Sequence, residues 1–217
     1  MVDSGGGSRV AQRYIERPIC FEGRKVDCRC LVMMTSASPP GKPTLYMHNR
    51  VYFRIAGKPH AAETPIQWTD RESVMTAMYL VRKHDKIETD STFVLPVDYK
   101  TIAKLEKTYS GFNWKQTVLP KIHTMIREIF GAVTSSYPEM AKHKTSRALY
   151  GVDVMFEILD DGITVEPKLT EVTFCPSNTP LNDAYERDNE LRHNFNRDVF
   201  ECLFLNKVNE ETITRIS

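Results

Sequence analysis

The 217-residue sequence lacks the features that mark several large classes of protein. It has no apolar run near the ~20 residues that a membrane-spanning helix needs, and its first residues show no secretory signal pattern. Glycine and proline number only 10 and 12, which excludes a collagen-like or low-complexity chain. These absences predict a globular protein of the cytoplasm.

The five cysteines do not follow the spacing of a disulfide framework or of a zinc site. Their number is odd, and the sequence contains no Cys-x-x-Cys. Cys28 and Cys30 lie two positions apart in a strand-like run, so we interpret them as small buried apolar residues. A reactive or metal-binding role is the weaker alternative.

The charge is balanced overall but uneven along the chain. The sequence has 29 Lys and Arg against 28 Asp and Glu, whereas residues 1–60 carry ten of the former and four of the latter. A basic first quarter favours an anionic partner such as phosphate, a nucleotide or an acidic peptide. On charge alone, a merely solvated basic surface explains the surplus equally well.

Hydrophobic periodicity places strands in the first and last thirds of the chain, helices between them and a final helix after the last strand. Residues 1–9 are rich in glycine and are interpreted as a flexible lead-in. Strand patterns cover residues 10–15, 25–35, 45–48, 51–55, 147–159 and 163–174. Helical patterns cover residues 72–81, 98–109, 117–137 and 184–205. Long strands on either side of a helical insert at about 91–140 predict an α+β fold with a mainly antiparallel sheet.

One predicted strand carries charged residues into the interior. Because side chains alternate along a strand, Lys25, Asp27 and Arg29 share one face. Three buried charges are costly unless each meets a counter-charge or a ligand. Two interpretations remain open. The three form a self-neutralising ladder at a sheet edge, or the cations meet phosphate while Asp27 orients them or a substrate amine.

A predicted hairpin brings two carboxylates together. If the hairpin is centred on Gly162, Asp153 lies nine residues before the centre and Glu171 nine after, so the two face each other. Two carboxylates this close repel each other unless one is protonated or a cation lies between them. Magnesium is a hard cation that takes such oxygen ligands and keeps room for phosphate.

Two alternatives to this carboxylate pair also remain open. Pro167 interrupts the return strand, and a shift of the register by one residue would separate the acids. Alternatively, one acid forms a structural ion pair with Arg147 or Lys168.

Five motifs, in order along the chain, resemble the tubulin–tyrosine ligase-like family over about residues 10–205. The motifs are QRYIERP at 12–18, GRKVDCR at 23–29, VYFR at 51–54, YGVD at 150–153 and TEVTFCP at 170–176. The resemblance implies an ATP-grasp fold and an ATP- and Mg-dependent ligase that joins an amino acid to a tubulin tail carboxylate through an acyl phosphate.

The resemblance also implies roles for nine residues and a set of partners. The implied catalytic residues are Asp27, Arg29 and Arg54, the cofactor-binding residues are Lys25, Tyr14 and Ile15, and the magnesium ligands are Asp153, Glu171 and Thr173. The implied partner is the acidic C-terminal tail of tubulin, in the cytoplasm or at microtubules. Neither a nucleic acid nor a membrane is implied.

The sequence departs from the family pattern in ways that keep a second function open. The family's Glu-x-Asn motif ends here in Thr173, and its His-Leu-Thr-Asn stretch falls at 74–77, where only Thr76 is retained. The family's upstream lobe is also missing, so we expect a C-terminal part of a catalytic domain that is inactive by itself. The alternative function is that of a non-catalytic member that binds tubulin or another acidic partner.

Overall fold

The computed structural model describes residues 10–60, 70–77, 94–95, 99–143, 146–176 and 189–217, with the backbone alone at 94–95, 99–100 and 189–194. The predicted lead-in at 1–9 therefore lies outside the described residues, as do the ends of the helices predicted at 72–81 and 184–205. No helix within the described ranges is both long enough and apolar enough to cross a membrane.

Within the described ranges, eight strands form one sheet. The strands are β1 (Cys20–Phe21), β2 (Arg24–Ser36), β3 (Thr44–His48), β4 (Tyr52–Pro59), β5 (Val94–Leu95), β6 (Ala148–Ile158), β7 (Val165–Phe174) and β8 (Ile213–Arg215). Each pair of neighbouring strands is antiparallel. The predicted mainly antiparallel sheet is thus confirmed.

The central strand of this sheet is β2, because both of its edges are paired. Along one edge it pairs with β6. Along the other edge, its first half pairs with β4 and its second half with β3, so that β3 and β4 lie end to end. The turn near Asn49 therefore carries the chain along this edge and does not fold β3 and β4 onto each other. The interpretation of β2 as an edge ladder is wrong.

In the described part of the chain four α-helices accompany the sheet, and the longest of them covers one of its faces. The helices are α1 (Arg71–Val74), α2 (Tyr99–Thr108), α3 (Leu119–Ser136) and α4 (Asn189–Phe200). A π-helical turn, Trp114–Val118, leads into α3, which buries Ile122, Ile126 and Phe130. The helices predicted at 98–109 and 117–137 are confirmed, and together with the sheet they confirm the α+β class.

Two local predictions are wrong. Residues 10–15 form no strand, and Val10 is 89% exposed. The helix predicted at 72–81 amounts in the described residues to the single turn of α1, because the backbone is already extended at Met75.

The hydrophobic core lies against the apolar face of β2. Val26, Cys28 and Cys30 are fully buried there and pack within a cluster that includes Phe112 and Phe156. Each cysteine is free, so the interpretation of Cys28 and Cys30 as buried apolar residues is confirmed.

A second, smaller cluster attaches the C-terminal elements to the opposite face of β2. It consists of Met33 from β2, Cys202 and Leu203 from the π-helical turn Glu201–Leu205 that follows α4, and Ile213 from β8. Met33 shares its face with Lys25, Asp27 and Arg29. That face is therefore charged in its first half and apolar in its second.

Candidate active site

The β6–β7 hairpin does place Asp153 directly opposite Glu171. Near the turn, however, Ile158 pairs with Val165, so the pairing there is centred between Asp161 and Gly162. A register shift between Asp153 and Val154 then adds one residue to β7. The predicted pairing is confirmed, but it depends on this irregularity.

The extra residue in β7 is Thr170, which forms a β-bulge. In a regular strand Leu169 and Glu171 would share a face. With Thr170 inserted, Leu169 stays opposite Val154 and packs against the core, while Glu171 joins the face of Asp153. The Thr170 hydroxyl donates to the carbonyl oxygen of Asp153 at 3.0 Å, which fixes the bulge. The predicted shift at Pro167 is wrong, since Pro167 pairs in register with Phe156.

Four buried charges of alternating sign lie at the centre of this face, and we call them the charge tetrad: Asp27, Arg29, Arg54 and Asp153. Arg29 binds Asp153 through two hydrogen bonds, Nε to Oδ1 at 2.5 Å and Nη2 to Oδ2 at 2.6 Å. Arg54 donates to both oxygens of Asp27 and also reaches Asp153 Oδ2 at 2.8 Å. None of the four residues is more than 6% exposed.

The register of β2 with its two neighbours builds the tetrad. Asp27 lies opposite Arg54 of β4, and Arg29 lies opposite Asp153 of β6. Asp27 and Arg29 are therefore neutralised across strands and not by each other. Arg147 and Lys168, the cations proposed as structural partners, lie elsewhere: Arg147 donates to the carbonyl oxygen of Leu203, and Lys168 faces Glu157.

The two carboxyl groups of the tetrad have opposite pKa shifts. Burial raises the pKa of Asp27, and the charge of Arg54 offsets this only in part. Burial also acts on Asp153, but the hydrogen bond from Arg29 and the charges of Arg54 and Arg29 outweigh it and hold its pKa below the usual value. Of the two carboxyl groups, Asp153 therefore holds its negative charge more strongly than Asp27.

Lys25 lies beside the tetrad on the same face and is 2% exposed. Its ammonium group donates to the Tyr14 hydroxyl at 2.9 Å and to the carbonyl oxygen of Val74 at 3.4 Å. Burial lowers the pKa of Lys25 to about 8. The structure thus brings together Tyr14 and Lys25, two of the residues predicted to bind the cofactor.

A cavity of about 650 Å³ opens above the tetrad. Its lining includes all four tetrad residues and Glu171. A smaller adjoining cavity is lined by Tyr14 and Ile15 and shares Gln12, Leu169 and Thr170 with the first. Of the nine predicted site residues, seven therefore line one of these two cavities, and Lys25 is joined to the smaller one through Tyr14.

Thr173 has a different position from the other predicted metal ligands. It lies opposite Gly151, two pairs further along β7 and so on the same face as Glu171, and its hydroxyl oxygen is buried without a hydrogen-bond partner in the described part of the chain. It does not appear in the lining of the described cavities.

Sequence reasoning missed three residues that shape the site. Tyr52 lies opposite Arg29 and is fully buried beside the guanidinium groups of Arg29 and Arg54. Gly151 leaves room for Arg29, because a Cβ there would lie 3.3 Å from the Arg29 side chain. Thr170 forms the bulge. Tyr52 could have been identified from the sequence, because it lies two residues before Arg54 in a predicted strand and so shares its face.

The predicted magnesium ligands fit a divalent ion only in part. Glu171 is exposed to the cavity and has no ion pair with another described residue, and the Thr173 hydroxyl is free to accept. Both oxygens of Asp153, however, already accept hydrogen bonds from guanidinium groups. Among the described residues, no three acidic, His or Cys side chains form a ready metal cluster.

Comparisons with known proteins agree on one family. A model of the tubulin-tyrosine ligase family matches residues 3–212. The chain is 27% identical to tubulin–tyrosine ligase-like protein 12 of Caenorhabditis briggsae, over 97% of this chain and 30% of the relative. It is 29% identical to the protein of the same name in Mus musculus, over 96% of this chain and 31% of the relative.

Similarity extends to a differently named relative, the tubulin monoglycylase TTLL3 of Danio rerio. The identity there is 24%, over 82% of this chain and 22% of the relative. The chain thus spans about three tenths of the length of the first two relatives and less of this one.

Proposed function

The chain belongs to the tubulin-tyrosine ligase family, as its sequence motifs predicted, and on that premise we propose that it forms part of an ATP- and magnesium-dependent ligase with an ATP-grasp fold. The proposed ligase joins an amino acid to a carboxylate of a tubulin tail. The proposed location is the cytoplasm, at or near microtubules.

One observation carries this proposal. Cations and carboxylates that the family motifs mark as functional are buried together on the floor of one cavity, although they come from strands distant in sequence. Buried charges are costly, and a fold that needed only stability could replace such a network by apolar residues. A charged floor under a cavity is the arrangement that phosphate transfer uses.

In the proposed reaction the acceptor carboxylate takes the γ-phosphoryl group of ATP, and the amine of the incoming amino acid then displaces that phosphate to form an amide. Lys25 and Arg29 would bind phosphate oxygens, since both are cations on the charged face. Arg54 would orient the acceptor carboxylate, and Asp27 holds Arg54 in place through two hydrogen bonds. Tyr14 and Ile15 would line the adenine site in the smaller cavity.

Bound magnesium would draw charge from the phosphate oxygens, and Glu171, Thr173 and Asp153 are the residues proposed to hold it. Glu171 and Thr173 are available in the structure as it stands. Asp153 would first have to leave at least one of its guanidinium partners.

The proposal is tested by thermal melting of the chain with β,γ-methylene-ATP and Mg²⁺. We expect the melting temperature to rise, because a ligand that binds only the folded state stabilises it. Lys25→Met should abolish most of the rise, whereas Lys107→Met, which removes an exposed lysine of α2, should leave it unchanged. A rise that survives Lys25→Met would contradict the assigned site.

A specific observation favours a second candidate, a non-catalytic member that binds nucleotide or an acidic partner without ligation. Asp153 is held by two guanidinium groups, and the third proposed ligand is a short hydroxyl in place of an amide. ADP formation in the presence of ATP, tubulin and free amino acids separates the two candidates. ADP formed in step with amide bonds supports the ligase, and nucleotide binding without ADP formation supports the binding protein.

A further inference from the structure

The outer edge of β7 lies along the rim of the larger cavity. On its inner edge β7 pairs with β6, and no other strand of the described residues pairs with it. Near the start of β7, Gly111 forms a bridge to Thr164, and Lys121 of α3 binds Glu166. Further along, at residues 169–174, the described part of the chain supplies no strand for the outer edge.

One hydrogen bond at the end of the hairpin shows which residues of this edge turn their backbone groups outward. The backbone N–H of Cys175 donates to the carbonyl oxygen of Leu149 in β6 at 3.0 Å, so Cys175 turns towards β6. In an antiparallel pair, bonded and non-bonded residues alternate along each strand. Thr173 therefore also turns towards β6, whereas Val172 and Phe174 turn their N–H and C=O groups outward. Val172 and Phe174 are 37% and 66% exposed.

We propose that an extended acidic peptide, the acceptor of the proposed reaction, docks as an added antiparallel strand on residues 169–174 of β7. The inference rests on the proposed function and names the way in which its acceptor is held. Each pair of neighbouring strands in the sheet is antiparallel, and the peptide continues that pattern. Pairing through backbone groups recognises an extended chain of many different sequences.

The position of this edge selects a peptide with acidic side chains on one face. Side chains of an added strand alternate between the two faces of the sheet. Residues 169–172 line the larger cavity, whose floor holds Arg29 and Arg54. One face of the peptide therefore directs its side chains over the cavity, where the proposed function places the acceptor carboxylate. The acidic residue belongs opposite Thr173, because like charges directly opposite each other would meet at Glu171.

The other face of the peptide meets apolar side chains. Phe174 lies edge-on to Tyr150, with ring centroids 5.8 Å apart, and Tyr150 lies edge-on to Phe130 of α3, with ring centroids 5.0 Å apart. Peptide residues opposite Val172 and Phe174 share the face of this aromatic row. They are also the residues whose backbone groups bond to β7. The edge thus fits a peptide in which acidic residues alternate with small apolar ones.

Fluorescence anisotropy with three labelled peptides tests the backbone contacts. The parent peptide has blocked ends and alternates valine with glutamate over about ten residues, which exceeds the length of the free edge. One derivative is N-methylated at the valines and the other at the glutamates, so that composition and charge are the same. In the presence of β,γ-methylene-ATP and Mg²⁺, we expect methylation of the valines to weaken binding on the order of tenfold or more, because these residues donate to β7. Methylation of the glutamates should change binding less than about twofold.

A substitution in β7 tests the same contacts from the side of the protein. Val172→Pro removes an outward N–H and leaves the bonds to β6 in place, and Pro167 already occupies an equivalent outward position of this strand. We expect Val172→Pro to weaken binding of the parent peptide on the order of tenfold. The matched control Val172→Ala keeps the N–H and should bind within about threefold of the wild type. In both variants the nucleotide analogue with Mg²⁺ should still raise the melting temperature.

The outcomes separate this inference from the proposed function. No binding of the parent peptide, or equal effects of the two methylations, would overturn the added strand, and a greater loss from the glutamate positions would overturn its antiparallel direction. Dimers that Val172→Pro dissociates in sedimentation would give the edge to a second copy of the chain and overturn the inference as well.

The melting temperature with the nucleotide analogue decides on the proposed function independently of these results. A rise without selective loss at the valines leaves the proposed function standing and refutes the docking mode. Selective loss at the valines without a rise supports the added strand and contradicts the nucleotide site. The peptide comparison uses the wild-type chain, so it decides even if Val172→Pro does not fold.

Discussion

At the scale of single residues, the site is a set of charges that are tolerable only in combination. Asp27 is 2% exposed and its carboxylate accepts from the guanidinium group of Arg54. Removing one partner of a buried ion pair leaves an uncompensated charge. Replacing both partners by neutral residues leaves no buried charge and therefore costs less. The contribution of each residue therefore depends on whether its partner is present.

Arg54→Met is expected to lower the free energy of unfolding by about 3–5 kcal/mol, because Asp27 loses its counter-charge. Adding Asp27→Asn should restore a large part of that loss. Urea denaturation of the wild type, both single variants and the double variant measures the coupling as a double-mutant cycle. Additive effects would show that the pair is not energetically coupled.

His48 is a second buried titratable residue, remote from the proposed reaction. It is 1% exposed, its Nδ1 accepts from the backbone N–H of Arg50 at 3.0 Å, and its Nε2 faces Asp198 Oδ2 at 3.9 Å. Burial lowers the pKa of His48 to about 4, and the charge of Arg50 acts in the same direction. His48 is therefore neutral in the folded chain.

This residue should make the chain less stable in acid. Because the folded pKa of about 4 lies below the unfolded value of 6.5, the stability present above pH 6.5 is lost progressively as the pH falls towards 4. The difference amounts to roughly 3 kcal/mol. His48→Asn keeps an acceptor for the backbone N–H of Arg50 but does not titrate. In urea denaturation, the stability of this variant should therefore fall less over this pH range than that of the wild type. Equal losses of stability in the two proteins would show that His48 is not the residue responsible.

At the scale of elements, the sequence predicts β2, β6 and β7 well because alternation and turn residues are local signals. The opposition of Asp153 and Glu171 was also predictable, although the assumed symmetric hairpin omitted the bulge at Thr170. The sequence does not show which strands flank β2. The pairing of Arg54 with Asp27 and of Arg29 with Asp153 depends on that long-range choice, so it could not be predicted.

The loop before β3 packs on α3 through a glycine that has a positive φ of 79°. A Cβ at Gly41 would lie 2.6 Å from the Ser135 hydroxyl oxygen, whereas one at Gly23, with φ of 75°, would meet nothing within 4 Å. A side chain at Gly23 would therefore add backbone strain alone, whereas one at Gly41 would add backbone strain and a steric contact.

Gly23→Ala should destabilise the chain by about 1–2 kcal/mol through backbone strain alone. Gly41→Ala should cost more, and Ser135→Ala in the same chain should recover the excess, because it removes the contacted oxygen. Thermal denaturation of the three variants measures this. Equal effects of the two glycine substitutions would show that the Ser135 side chain or the loop moves aside freely.

At the scale of the whole molecule, the hydrophobic clusters described above differ greatly in size. The large cluster joins β2 to α3 and β6, while among the described residues the buried part of the small one consists of Met33, Cys202, Leu203 and Ile213. Regions held by few buried contacts open at lower free energy than the core. We therefore expect α4 and β8 to open before the centre of the sheet.

Leu203→Ala should cost about 2–5 kcal/mol locally, since Leu203 is 4% exposed. In hydrogen exchange, the amides of α4 and β8 should lose protection, while those of β2 keep theirs. The matched control is Ile126→Ala in the large cluster, which should reduce protection throughout the molecule. Uniform loss in the Leu203 variant would show that both clusters open as one unit.

The mutual neutralisation of Asp27, Arg29, Arg54 and Asp153 has a consequence for how the protein is made. A nascent chain that carries its own counter-ions can complete its interior on leaving the ribosome, without waiting for a small molecule to arrive. A ligand that binds afterwards would meet an interior that is already complete.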